Sequence, residues 1–262
     1  MTSAEEIKAC CAATYSSDLV AMLLGEAYHP GGLALTRRLA GALDPAAGAR
    51  VLDVASGRGG TALLLATEHG VRVDGVDLAQ ANVALAQGAA DGRGLTDQVS
   101  FTVADAEALP YPDEAFDAAV SECAFCTFPD KPTAASELAR VLRSGGRIGI
   151  TDVVADTARL PDELTGLAAW VACVADARPL GEYASLLADA GLRTRHTERH
   201  DAAMIRMIDQ IEARLTLVRL TARERAEALG LDFDRAGPVL AAARAAVTDG
   251  VLGYALLIAE RR

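Results

Sequence analysis

The chain has 262 residues, an apolar share of 51%, an aromatic share of 4% and a formal net charge of −11. That length suits one large domain, and the apolar share is ample for its core. So acidic a chain argues against a polyanion, whose binding needs cationic neutralisation of phosphates, and no apolar run reaches the ~18 residues that span a bilayer. The expected partner is a small molecule, with no nucleic acid and no membrane. Residues 3–13 have helical spacing, with Ile7, Cys10, Cys11 and Thr14 on one side. Glu5, Glu6 and Lys8 have no apolar core after them, which is unlike a signal peptide and predicts a soluble, cytoplasmic protein. The five cysteines are then expected as free thiols. A second helix is predicted over 17–26, a turn at Tyr28-His29-Pro30-Gly31-Gly32, and a third helix over 33–43.

Residues 51–54, Val-Leu-Asp-Val, form a predicted buried strand that stops at Ala55-Ser56-Gly57-Arg58-Gly59-Gly60 and passes into a helix over 61–69. Strand, glycine-rich turn and helix together let backbone approach a ligand and aim free N–H groups at it. A second strand, 71–76, ends at Asp77, whose carboxylate could accept both hydroxyls of a ribose. A helix follows over 80–88, and then a strand over 99–103 ahead of Asp105-Ala106. Beyond a loop at 107–114 come a strand at 115–120 that runs into Ser121-Glu122-Cys123, a helix over 132–142 and a strand over 147–153. This alternation predicts a parallel sheet with helices on both faces. A helix is expected over 161–177. The last strands, 192–198 and 251–259, read as an edge hairpin separated by inserted helices over 201–248.

The cofactor loop from Asp53 to Gly59, Asp77, Asp105-Ala106 and the later turn Val141-Leu-Arg-Ser-Gly145-Gly146 together resemble the class I S-adenosylmethionine-dependent methyltransferases over residues 49–151. Ala55 stands where that family often has its first loop glycine. The Gly-x-Gly-x-x-Gly fingerprint of a dehydrogenase is absent from this loop. The resemblance implies an α/β fold, a Rossmann-like doubly wound seven-stranded sheet with a helical insertion before the last strand. It divides into an N-terminal helical lid (1–48), a cofactor-binding core (49–160) and C-terminal substrate-site helices with the final strands (161–262). The implied cofactor is S-adenosyl-L-methionine, held by Asp53, Ala55, Ser56, Gly57, Gly59, Asp77, Leu78, Asp105, Ala106 and Glu122.

Cys123 lies just past the fourth strand, at the mouth of the cleft, and Cys126 follows three residues on. Such a C-x-x-C could be a redox pair or half a zinc site. His196 and His200 are four apart, but with His196 on a strand that spacing does not bring them together, so no metal site is expected. On a helical wheel Leu164, Leu167, Ala168, Val171 and Ala175 form a stripe with Cys173 on the opposite side. Ser121-Glu-Cys123, Pro129-Asp130-Lys131 and the run Arg140 to Arg147, with Cys173 ahead of Glu182-Tyr183, look like the arsenic(III) methyltransferases. That family's cysteine after the cofactor loop is missing, and Glu122 replaces its usual asparagine. The resemblance implies Cys123 and Cys173 as the catalytic pair around trivalent arsenic, with Cys126, Cys10 and Cys11 completing the site on lid closure and a thiol reductant as helper. Soft thiolates suit such a centre, and an arsenic lone pair needs no general base, so positioning supplies the catalysis. The alternative acceptor is a small organic thiol, selenol or natural product, with His29 as general base. A thiol-rich protein that only sequesters a metalloid is a third reading, opposed by the carboxylates at the strand ends.

Overall fold

Short apolar runs, several of them closed by a carboxylate, become the strands of this chain. The computed structural model describes residues 4–15, 17–25, 28–165, 173–174 and 176–262. Its sheet comprises β1 (Arg50–Val54), β2 (Arg72–Asp77), β3 (Val99–Val103), β4 (Phe116–Glu122), β5 (Leu142–Ala155), β6 (Leu192–Arg199) and β7 (Leu252–Arg261). The spatial order is β3-β2-β1-β4-β5-β7-β6. The first five strands run parallel, and β7 is antiparallel to both of its neighbours. Val51, Leu52 and Val54 on β1 and Phe116, Ala119 and Val120 on β4 are fully buried, as expected for strands covered on both faces.

The covering helices are α3 (Gly32–Leu43), α4 (Gly60–His69), α5 (Gln80–Gly92), α6 (Lys131–Val141) and α7 (Leu180–Asp189). Leu35, Leu39, Ala40 and Leu43 form the buried face of α3. Asp130 caps α6 by accepting the Thr133 N–H at 3.0 Å, and Pro132 is in its first turn, the preferred chemistry for a helix start. Before the sheet come α1 (Ala4–Tyr15) and α2 (Asp18–Leu24); α8 (Asp201–Thr221), α9 (Arg223–Ala228) and α10 (Phe233–Thr248) are inserted between β6 and β7. No described helix is long and apolar enough to cross a membrane.

Two expectations need correction. The last two strands pair, but they are not an edge hairpin, because β7 is inserted between β5 and β6. Its first eight residues are all buried, and such a continuous apolar run belongs inside a sheet. Of these two strands only β6, with exposed Arg193, Arg195 and Arg199, is at an edge, where charge discourages pairing with other chains. Residues 166–172 and 175 of the helix expected over 161–177 lie outside the described residues. Of its described parts, Asp162–Leu164 is a single 3₁₀ turn and Cys173 has φ +64°, so the helical wheel does not place that side chain. Among the described residues His196 and His200 are linked only through Glu198, whose two carboxylate oxygens they bond at 2.5 and 3.0 Å.

Strand order reverses between β1 and β4. Crevices at such switch points, beyond the carboxyl ends of the strands, are where open α/β sheets bind ligands.

Candidate active site

A cleft opens at that switch point. The loop after β1 forms its floor by repeated left-handed turns, with φ of +59° at Ala55, +54° at Gly57 and +82° at Gly59. At Gly59 a side chain would also meet Phe101 Cζ at 2.7 Å, so only glycine fits. Asp77, at the end of β2, holds this loop: it accepts the N–H of Gly57 at 2.9 Å and of Ala79 at 2.8 Å, and the Asn82 amide at 3.3 Å. Asp53 is buried beneath the loop and accepts the backbone N–H of Ala62. Burial, helped by the charges of Glu122 and Asp77, pushes its carboxyl up to about 8.

Glu122 ends β4. It accepts the hydroxyls of Thr61 at 2.9 Å and Thr151 at 3.1 Å, and His29 Nδ1 lies 3.6 Å away. His29 Nε2 is 3.4 Å from the Thr36 hydroxyl and Nδ1 is 3.3 Å from the Pro30 carbonyl, so both ring nitrogens already have protein partners. At the far end Asp105 accepts the Glu107 N–H at 2.9 Å and Lys8 Nζ at 2.7 Å, and Lys8 also bonds Glu107.

Of the predicted residues, Asp53, Ala55, Ser56, Gly57, Asp77, Leu78, Asp105, Ala106, Glu122, Cys123, Cys11 and His29 all line this cleft. Gly59 shapes its floor from below. Cys10 is not brought to it: the cleft face of α1 is Lys8, Cys11, Ala12 and Tyr15, at spacings i, i+3, i+4 and i+7. Of the stripe expected through Ile7, Cys10, Cys11 and Thr14, Cys11 alone lines the cleft. Lys8, Arg58, Tyr15, Tyr28 and Asn82 line the cleft without having been predicted. The i, i+7 pair of Lys8 and Tyr15 was the only sequence signal for two of them.

Behind the cleft the thiols converge. Cys123 (φ +54°) anchors its N–H on the Thr151 carbonyl at 2.7 Å. Cys126 is on the buried 3₁₀ turn Phe125–Thr127, with its N–H on Asp152 Oδ2 at 2.9 Å. Cys173 Sγ stands 2.9 Å from the Tyr15 hydroxyl and 3.4 Å from the Cys123 carbonyl oxygen. Its polar neighbours Cys123 and Cys126 first, then Tyr15 and the nearby charge of Lys131, draw the Cys173 thiol well below the usual value despite burial. Cys123 and Cys126 are pushed up in turn, the former chiefly by its neighbour Cys173 and the latter by burial. No three His, Cys, Asp or Glu among the described residues are set to hold a metal ion.

Residues 52–150 match the family model described as Methyltransferase domain. The 27-O-demethylrifamycin SV methyltransferase of Amycolatopsis mediterranei (strain S699) is 34% identical over 203 residues, 70% of this chain and 72% of that protein. Methyltransferase GfsG of Streptomyces halstedii is 37% identical over 164 residues, 62% of this chain but 59% of its own length. Among solved structures, the 4+2 cyclase SpnF superposes with a TM-score of 0.72 at 28% identity, covering 95% of this chain and 94% of that one. Other neighbours of the same fold were solved with S-adenosylmethionine or S-adenosylhomocysteine bound.

Proposed function

The chain belongs to the class I S-adenosylmethionine-dependent methyltransferases, and from that premise we propose that its methyl acceptor is a small molecule with a thiophilic centre, trivalent arsenic foremost, seated at Cys123. The cofactor fits the floor of the cleft. Asp53 Oδ2, Ser56 Oγ, Arg58 Nε and Asn82 Oδ1 are buried without hydrogen-bond partners among the described residues, and all four residues line it. Buried polar atoms left unpaired call for a ligand that pairs them. When bound, S-adenosylmethionine supplies an electrophilic methyl group on a sulfonium. Asp77 has lone pairs to spare for ribose hydroxyls, Asp105 and Ala106 border the adenine end, and Asp53 and Glu122 put carboxylates beside the cofactor's cationic part.

The convergence of Cys123, Cys126 and Cys173 carries the acceptor reading. Thiolate is the form that captures a soft centre, and Cys173 is the thiol whose neighbours favour it. Two thiols condensing with arsenous acid release two waters and leave the arsenic lone pair free. The protein then has only to hold that lone pair in line with the methyl group, without removing a proton. The partnered ring of His29 suits that role for the wall better than it suits a base.

A second reading has a natural-product hydroxyl as acceptor. It is supported by the similarity to the 27-O-demethylrifamycin SV methyltransferase and by the 3.6 Å approach of His29 to Glu122, a pair that could act on a hydroxyl proton after the Thr36 contact is released. The test is turnover with glutathione, offering arsenite, methylarsenite and a hydroxylated macrolactam separately. Methylated arsenic that falls at least ~100-fold in both Cys123→Ser and Cys173→Ser, a loss of transition-state positioning of about 3 kcal/mol, supports the first reading. Methylation of the macrolactam alone, lost on His29→Ala, establishes the second.

A further inference from the structure

Arg58 has no place in the chemistry so far. It stands between Gly57 and Gly59, whose left-handed turns fix its backbone, and its side chain lines the cleft. Its guanidinium carbon lies 5.5 Å from the centroid of the Tyr28 ring, and its Nε is buried without a partner. Arg58 makes no ion pair among the described residues. Leaving a charged donor unpaired is costly in a partly dry site.

The surrounding charge identifies the missing partner. Asp53, Asp77, Asp105 and Glu122 all face this cleft, so any anion entering it needs a cation to offset their repulsion. Lys8, the cleft's other cation, is already held by Asp105 and Glu107. Five residues before Arg58, Asp53 Oδ2 is also buried and unpartnered. One stretch of chain therefore presents a carboxyl oxygen and a guanidinium N–H that both lack partners. That combination complements a zwitterion, an ammonium beside a carboxylate.

We propose that Arg58 binds the carboxylate of the cofactor's amino-acid end, while Asp53 and Glu122 face its ammonium. The guanidinium fork matches a carboxylate in two parallel bonds. Arg58 thus makes the site selective for a cofactor with an intact amino acid. It is a binding and positioning residue, separate from the acceptor chemistry, and the inference rests on the cofactor reading alone.

The test is a two-by-two calorimetric comparison of S-adenosylmethionine with decarboxylated S-adenosylmethionine, which keeps both positive charges and lacks only the carboxylate. Wild-type protein is expected to prefer the intact cofactor by roughly 10- to 100-fold, the range of a charge-assisted bond in a partly buried site. In Arg58→Met that preference should collapse to within about threefold, through weaker binding of the intact cofactor with the decarboxylated one nearly unaffected. Arg58→Lys should retain an intermediate preference. Unchanged binding of the decarboxylated ligand is also the check that the loop is folded. Arg58→Met keeping the wild-type preference, or losing both ligands equally, overturns the proposal. Wild-type protein that bound neither ligand would instead refute the cofactor reading.

Discussion

Ala55 turns through a left-handed backbone at φ +59°, a region that costs an ordinary L-residue about 1–2 kcal/mol. Glycine avoids that strain but gives back part of the gain through its freer unfolded chain, about 0.5–1 kcal/mol. Ala55→Gly should therefore stabilise the protein by about 0.5 kcal/mol and raise Tm by roughly 1–2 °C in differential scanning calorimetry. A lower Tm would mean that contacts of the Ala55 methyl outweigh the strain. Cys123 and Cys173 share the same conformation, at φ +54° and +64°. Non-glycine residues held there cluster at functional sites, which agrees with the role proposed for both. The carboxylates were legible in the sequence because Asp53 lies in an apolar run and Asp77 and Asp105 follow one, so strand position alone put them near the cleft. Arg58, Lys8 and Tyr15 were not, because a side chain's direction depends on turns and helix rotation that no local pattern records. The cysteines are intermediate: Cys123 was placed by the end of β4, whereas the position of Cys173 depends on its left-handed backbone, φ +64°, which helical periodicity does not describe.

At the scale of elements, α1 illustrates how one helical face can serve both ends of a cleft. Lys8 bonds Asp105 and Glu107 at one end, and two turns further along the same stripe Tyr15 meets Cys173. Glu107 in turn accepts the N–H of Asp130 at 2.8 Å, the residue that caps α6. The lid expected from the sequence is thus tied to the wall that carries Cys126 and Phe128. Removing the Lys8 charge leaves Asp105 and Glu107 repelling each other where the adenine edge is expected. The three side chains are partly buried, so the loss falls between that of a surface pair and that of a buried one, about 1.5 kcal/mol. Lys8→Met should raise KM for S-adenosylmethionine about tenfold with kcat within about twofold, and Lys8→Arg should restore most of it. A fall in kcat at unchanged KM would place Lys8 in the acceptor chemistry instead. The same comparison of pattern with place explains the strands. The apolar run of β7 and the charged alternation of β6 were both visible, but their order depends on β7 inserting beside β5 after three intervening helices, and such long-range pairing leaves no local signal.

For the molecule as a whole, the buried carboxyls oppose the surface ones in their response to pH. Asp53, pushed up to about 8, and Asp152, pushed up to about 7, both chiefly by burial, keep protons that an unfolded carboxylate near ~3.9 gives up. Between those values the folded state binds more protons than the unfolded one, so their contribution to stability falls as pH rises. Glu198 works in the opposite sense. Burial resists its ionisation, but bonds from His196, Arg38 and His200 prevail and draw it down to about 2. Its contribution is complete above the unfolded value and is lost as pH falls toward 2. The Cys173 thiol, drawn down by its neighbours Cys123 and Cys126, also favours higher pH, but it is one proton against two. The net change is then at most about one proton, or ~1.4 kcal/mol of stability lost per pH unit near pH 5 to 6, and it shrinks toward pH 7 as Asp152 titrates. The Tm of the protein without cofactor should accordingly drop by a few degrees per unit from pH 5 to 7. Asp53→Asn should flatten the slope, and saturating S-adenosylmethionine should do the same, since its positive charge favours ionised Asp53. A Tm that rises from pH 5 to 7 would mean that Asp53 and Asp152 are already ionised in the fold. The cleft would then carry its full negative charge before the cofactor arrives, and the bound cation would stabilise the chain equally at both pH values.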